Sequence, residues 1–118
     1  MQNSVHLIGR LAKEPELKQY DNGKRKTELT IAVQRPFKNA DGVYEADFLK
    51  CKVWNGIAEN VCEYIKVGDL IGVKGRIEHN NNSNEIVVER VSFLCSKKEK
   101  EDKNLEQDTN ELDIEEEI

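Results

Sequence analysis

The chain has 118 residues, 37% hydrophobic and 35% charged, with a formal net charge of −5 at pH 7, which suits one domain with a modest core. It contains no run of about 18 apolar residues, which excludes a transmembrane helix, and its first residues lack the features of a secretory signal, so we expect a cytoplasmic protein. Neither a metal nor a cofactor is expected, because the three cysteines lack the clustered spacing of zinc ligands: Cys51, Cys62 and Cys95.

The first half of the chain alternates apolar and polar residues with the period of a β-strand. Residues 4–11 form the first predicted strand, and residues 27–35 form the second, after a turn at residues 21–23. The third predicted strand covers residues 46–54 and follows a hairpin turn at residues 39–42.

The period then changes to that of a helix over residues 57–65. Asn55 is placed to cap the start of this helix, and Gly68 follows its end. Two more strands are predicted at residues 70–78 and 85–94, joined by an asparagine-rich turn.

The resulting order is β-β-β-α-β-β, with the helix between the third and fourth strands. This is the topology of an OB-fold, a small five-stranded β-barrel, so we predict an all-β fold of that type with one helix. Gly72 and Gly75 in the fourth strand predict the bends or bulges that a small barrel needs. A different five-stranded α+β roll would give the same order and stays open as an alternative.

The third strand carries the most informative pattern. Residues 47, 49, 51 and 53 share one side, which is mostly apolar and is predicted to face the core. The outward side carries Phe48, Lys50, Lys52 and Trp54. Aromatic rings stack on unpaired bases and ammonium groups contact phosphates, so this row predicts sequence-independent binding of single-stranded nucleic acid. The alternative is that the rings pack under a loop or in a subunit interface.

Further residues extend this row. Phe37, where the second strand meets its hairpin, is a candidate for base stacking, with packing within the hairpin as the alternative. Tyr44 on the other arm fits a base contact and cross-strand packing equally well. The candidates for phosphate contacts are Arg10, Arg35, Lys38, Lys74 and Arg76. Solvated charge is the alternative for Arg10, Lys74 and Arg76.

No catalytic motif is recognisable in the chain. His6 and His79 are far apart in the sequence, and there is no phosphate-binding loop, H-E-x-x-H or G-x-S-x-G motif. We therefore do not expect an enzyme.

The acidic residues are concentrated at the end of the chain. Residues 97–118 carry 4 Lys+Arg against 10 Asp+Glu, whereas residues 1–96 carry 14 against 13. Residues 1–96 are the predicted domain, whose near-neutral balance allows a local basic face. Residues 97–118 are a predicted charged linker and disordered tail, because they have too little apolar surface to offset the entropy of ordering.

Over about residues 3–95 the chain resembles the bacterial single-stranded DNA-binding proteins of the OB-fold type. The stretches that carry this resemblance are residues 5–11, 14–17, 32–37, 46–48, 53–54, 58–61, 64–68 and 73–77. The resemblance implies that bases stack on Phe37, Phe48 and Trp54, and that the protein coats single strands during DNA replication, recombination and repair. It implies a cytoplasmic, nucleoid-associated homotetramer in which first strands pair between subunits. The residues of that interface are Val5, His6, Leu7 and Ile8.

The sequence departs from the family pattern in two places. The family usually has another aromatic residue between the fourth and fifth strands, where this chain has a shortened turn at residues 80–84 without one. The family tail commonly ends in acidic residues followed by Ile-Pro-Phe and recruits replication and repair proteins. The corresponding candidates here are Asp113, Ile114, Glu115, Glu116, Glu117 and Ile118. A solubilising tail that competes with DNA for the basic face is the alternative.

Two other functions stay open at this point. One is an OB-fold accessory of replication restart that acts mainly through protein–protein contacts. The other is an RNA-binding OB domain.

Overall fold

The computed structural model describes residues 1–96. The predicted linker, disordered tail and tail tip therefore lie outside the described residues. The structure confirms the predicted order of five strands and one helix and adds one two-residue strand that the sequence did not predict, β2. The elements are β1 Val5–Leu11, β2 Lys18–Gln19, β3 Arg25–Lys38, β4 Tyr44–Trp54, α1 Asn55–Tyr64, β5 Leu70–Asn80 and β6 Ser83–Cys95.

The five long strands close into a barrel. β1 pairs antiparallel with β5 and, at its end, with β3 through Arg10↔Ala32 and Leu11↔Ile31. β3 pairs with β4, β4 pairs in parallel with β6, and β6 returns to β5, which completes the ring. The OB-fold prediction is confirmed.

The inward side chains of these strands form the core. Leu29, Ile31, Val53 and Ile71 have no exposed surface, and each such burial stabilises the fold by roughly 1.5–3 kcal/mol. α1 packs on this cluster through Ala58 and Val61, which are buried on its inner side. This helix has 10 residues, and within residues 1–96 no helix is long and apolar enough to cross a membrane.

The cysteines are free thiols in the described structure. Cys51 is fully buried in the core, and this burial raises the pKa of its thiol to about 11, so the thiol stays protonated and unreactive at neutral pH. Cys62 and Cys95 are half-buried.

The turn between β5 and β6 is shorter than predicted. β5 ends at Asn80 and β6 begins at Ser83, so only Asn81 and Asn82 connect them. Both have positive φ, 51° and 64°, as in the two-residue turns whose twist matches that of antiparallel strands, and asparagine tolerates this conformation well.

The predicted role of Asn55 as a helix cap is wrong. The residue before the helix is Trp54, and the helix start has no side-chain cap hydrogen bond. Asn55 is instead the first residue of α1, with φ 56°. Its side-chain Oδ1 accepts a hydrogen bond of 3.2 Å from the backbone N–H of Arg25, so this asparagine ties the start of α1 to the start of β3.

The predicted irregularity of β5 is confirmed at Gly75. The pairing of β5 with β6 shifts register between Lys74 and Gly75. A Cβ atom on Gly75 would overlap the carbonyl oxygen of Val87, so this close approach of the two backbones requires glycine.

Gly75→Ala should therefore lower the free energy of unfolding by about 1–3 kcal/mol, the usual cost of forcing an added group into a packed site. The matched control is Gly56→Ala in α1, where nothing lies within 4 Å of the added Cβ. That change should raise stability by roughly 0.5–1 kcal/mol, because alanine favours a helix. Urea denaturation of the two variants measures both effects, and equal midpoints would contradict this account of Gly75.

Candidate nucleic-acid interface

β4 has one buried and one outward side, as its alternation predicts. Cys51 and Val53 are fully buried, so the residues between and beside them must point away from the core. Phe48 is 65% exposed and Lys50 is exposed, while Lys52 and Trp54 are half-buried. The outward row of four is present on β4 with the aromatic rings at its two ends.

The neighbouring strand leaves the Phe48 ring uncovered. Phe48 pairs in register with Ala32 of β3, which in turn pairs with Arg10 of β1, so these three side chains lie side by side on the outer surface. Ala32 is too small to cover the ring. The Arg10 guanidinium donates a hydrogen bond of 2.8 Å to the carbonyl oxygen of Gly68.

More exposed rings lie at the β3–β4 hairpin. Phe37 is 64% exposed, in a segment where the pairing of β3 and β4 is irregular between Gln34 and Lys38. Tyr44 is exposed and pairs in register with Lys38, whose ammonium lies 5.6 Å from the centre of the Tyr44 ring. This cross-strand contact leaves both aromatic rings accessible to solvent.

Trp54 has neighbours that are not predictable as site residues from the sequence. Its ring centre lies 6.4 Å from that of Tyr20, with 38° between the ring planes. The ammonium groups of Lys24 and Lys26 lie 6.0 and 5.5 Å from the Trp54 ring centre. A turn followed by Lys24 and Lys26 was the available signal, but only the fold shows that both reach Trp54. Lys26 is in register with Trp54, and Lys24 lies one residue before β3.

Arg35 is held by acidic side chains. Its Nη2 lies 2.8 Å from Oδ1 of Asp47, its Nε lies 3.2 Å from both Asp47 oxygens, and its Nη1 lies 3.5 Å from Glu45. The hydrogen bonds from Arg35 lower the pKa of the Asp47 carboxyl. Both groups are therefore charged at neutral pH.

The candidate cations on the β5–β6 side are also paired. Lys52 forms an ion pair with Glu85, Lys74 with Glu89 at 3.3 Å, and Arg76 with Glu89 at 3.1 Å. Hydrogen bonds from these cations lower the pKa values of both glutamates. Arg76 has a second ion pair, with Glu78. The pairs of Lys74 and Arg76 with Glu89 are exposed and contribute about 0–1 kcal/mol each, so a phosphate can replace this carboxylate. Lys52 and Glu85 are half-buried.

The residues predicted for the subunit interface lie on β1. Val5 and Leu7 are half-buried, and Leu7 packs against the core, whereas His6 is exposed and Ile8 is 56% exposed. Residues 5–9 pair with β5 alone. Among the described residues, the other edge of this stretch has no strand partner.

Together these features define an OB-fold protein with an outward strand of aromatic and basic residues. The Single-strand binding protein family matches residues 2–94. The chain belongs to this family, as its resemblance implied.

Individual relatives agree with the family match. Single-stranded DNA-binding protein 3 of Listeria innocua is 46% identical over 82% of this chain and 66% of its own length. The single-stranded DNA-binding protein of Halalkalibacterium halodurans is 46% identical over 80% of this chain and 61% of its own length. Single-stranded DNA-binding protein B of Bacillus subtilis is 45% identical over 72% of this chain and 75% of its own length. The chain thus spans less than two thirds of the length of the first two relatives.

Proposed function

We propose that this protein binds single-stranded DNA without sequence preference and performs no chemistry on it. The observation that carries the proposal is the outward row of β4, in which Phe48 and Trp54 flank Lys50 and Lys52 on a strand whose opposite side is buried. Bases offer their flat faces only when unpaired, so exposed rings favour single strands over duplexes. The relatives named above are all called single-stranded DNA-binding proteins.

Stacking and charge contribute in different ways. Bases stack on Phe37, Phe48 and Trp54, and each stacked base contributes about 1–3 kcal/mol. Lys50 meets a phosphate first, because it is exposed and has no ion pair within residues 1–96. The remaining proposed phosphate contacts either have a protein partner that the phosphate replaces or lie beside the β4 row. They are Arg10, Arg35, Lys38, Lys52, Lys74 and Arg76.

The biological role that follows is protection of exposed strands during DNA replication, recombination and repair. It rests on the family and on the binding surface. A replication-restart accessory or an RNA-binding domain would use the same fold, and the experiment below separates all three.

Titration with oligo-dT should quench the fluorescence of Trp54, the only tryptophan, because a base stacks on its ring. Phe48→Ala should weaken binding by about 1–3 kcal/mol. Tyr64→Ala is the matched control, because Tyr64 is 67% exposed but lies on α1, and it should leave the affinity unchanged.

Three results would contradict the proposal. Tighter binding to a matched RNA strand would indicate the RNA-binding domain. Absence of a quench together with tight binding to replication proteins would indicate the accessory. Equal losses in the Phe48 and Tyr64 variants would remove the role of the β4 row.

We also propose that the protein is a homotetramer in which β1 strands pair between subunits through Val5, His6, Leu7 and Ile8. The unpaired edge of residues 5–9 and the exposed Ile8 side chain support this, because an open strand edge readily accepts another strand. Light scattering should give the mass of four chains, and Ile8→Glu should lower it. The mass of one chain in the parent protein would contradict the proposal.

The acidic tail is proposed to recruit replication and repair proteins and to compete with DNA for the basic face. Residues 104–118 carry seven acidic residues and no basic one. Deletion of these residues should raise the affinity for oligo-dT at low salt and much less at high salt, because salt screens the competition. Equal affinity of both chains at low salt would exclude this competition.

A further inference from the structure

Trp54 lies at one end of the β4 row and is surrounded by side chains from the preceding part of the chain. Tyr20 is 44% exposed, with its ring centre 6.4 Å from that of Trp54. Lys24 and Lys26 place their ammonium groups 6.0 and 5.5 Å from the same ring. One strand end therefore gathers two aromatic rings and two cations.

The pairing of three strands continues this cluster across the sheet. Trp54 of β4 is in register with Lys26 of β3, and Lys26 is in register with Lys18 of β2, so the three side chains lie in one line on the outer surface. A groove of about 330 Å³ adjoins this line of side chains, and its lining includes Lys18, Tyr20 and Lys26 together with Glu14, Glu16 and Glu28. Its size is within the range of small-ligand pockets.

The two lysines near Trp54 are easier to engage than the cations of β5. Within residues 1–96 neither Lys24 nor Lys26 forms an ion pair, and an exposed cation–ring contact contributes only about 0.5–1 kcal/mol. A phosphate that takes Lys24 or Lys26 breaks no ion pair, although the charge of Lys26 already helps to lower the pKa of Glu85. A phosphate that takes Lys74 or Arg76 leaves the charged Glu89 beside it, and two like charges repel.

We infer that Tyr20, Lys24 and Lys26 form with Trp54 a subsite for two successive nucleotides of a single strand. This inference rests on the proposed function. One base stacks on Trp54, and the next base contacts Tyr20. The ammonium groups of the two lysines leave the indole ring and bind the phosphate between these two bases. The bound strand thus extends from the β4 row toward β2.

The test measures binding of fluorescein-labelled oligo-dT by anisotropy, so that the signal does not depend on Trp54. Lys24→Gln with Lys26→Gln should reduce the slope of log affinity against log salt by about 0.7, since the two lysines share one phosphate and each phosphate contact on a single strand contributes about 0.7. Tyr20→Ala should weaken binding by about 5- to 150-fold, whereas Tyr20→Phe, which keeps the ring, should bind like the parent.

The matched control is Lys66→Gln, because Lys66 is exposed and follows α1, outside the residues proposed to bind DNA. The inference requires an unchanged salt slope in this variant. A slope reduced as much per lysine by Lys66→Gln as by the Lys24 and Lys26 substitutions would show an effect of net charge alone and would overturn the inference.

The remaining outcomes separate the subsite from the proposed function. The subsite alone would be overturned if the parent protein binds oligo-dT and the Lys24, Lys26 and Tyr20 variants bind it with the same affinity and the same salt slope. Parent protein that does not bind oligo-dT would overturn both.

Discussion

The pleat of β4 is the constraint on which the proposed binding surface depends. Cys51 and Val53 are completely buried, and successive side chains of a strand point to opposite sides. The outward direction of Phe48 and Trp54 is therefore fixed by the core and does not depend on the contacts of their own rings. Register with β3 is continuous from Trp54 to Ala46, and a slip by one residue would turn every ring inward.

The barrel and the outward row are predictable because both follow from local periodicity. Alternation identifies the strands, and the same alternation separates Cys51 from Lys52 before any tertiary structure is known. The role of Asn55 was predicted wrongly because its position suits a helix cap, whereas its real partner is the backbone of Arg25, 30 residues away. The surroundings of Trp54 were missed for the same reason, since Lys26 reaches its ring only through strand pairing.

Ion pairing could not be read from the sequence either. Lys52 and Lys74 both occupy outward strand positions, and nothing local distinguishes them from Lys50. In the fold, Lys52 meets Glu85 and Lys74 meets Glu89, while Lys50 meets no acid among the described residues. The number of cations on a surface is therefore a poor measure of the charge it offers to a phosphate. Their carboxylate neighbours decide which cations respond first to an approaching anion.

The hydrogen bond from Arg25 to Asn55 restricts the backbone next to Trp54. Trp54 is the last residue of β4, directly before the residue that this bond anchors to β3. The Trp54 backbone is thus held between β4 and α1, and Tyr20 and Lys26 lie beside its ring. A ring that is already confined loses little rotational freedom when a ligand arrives, so most of the attraction is retained as affinity.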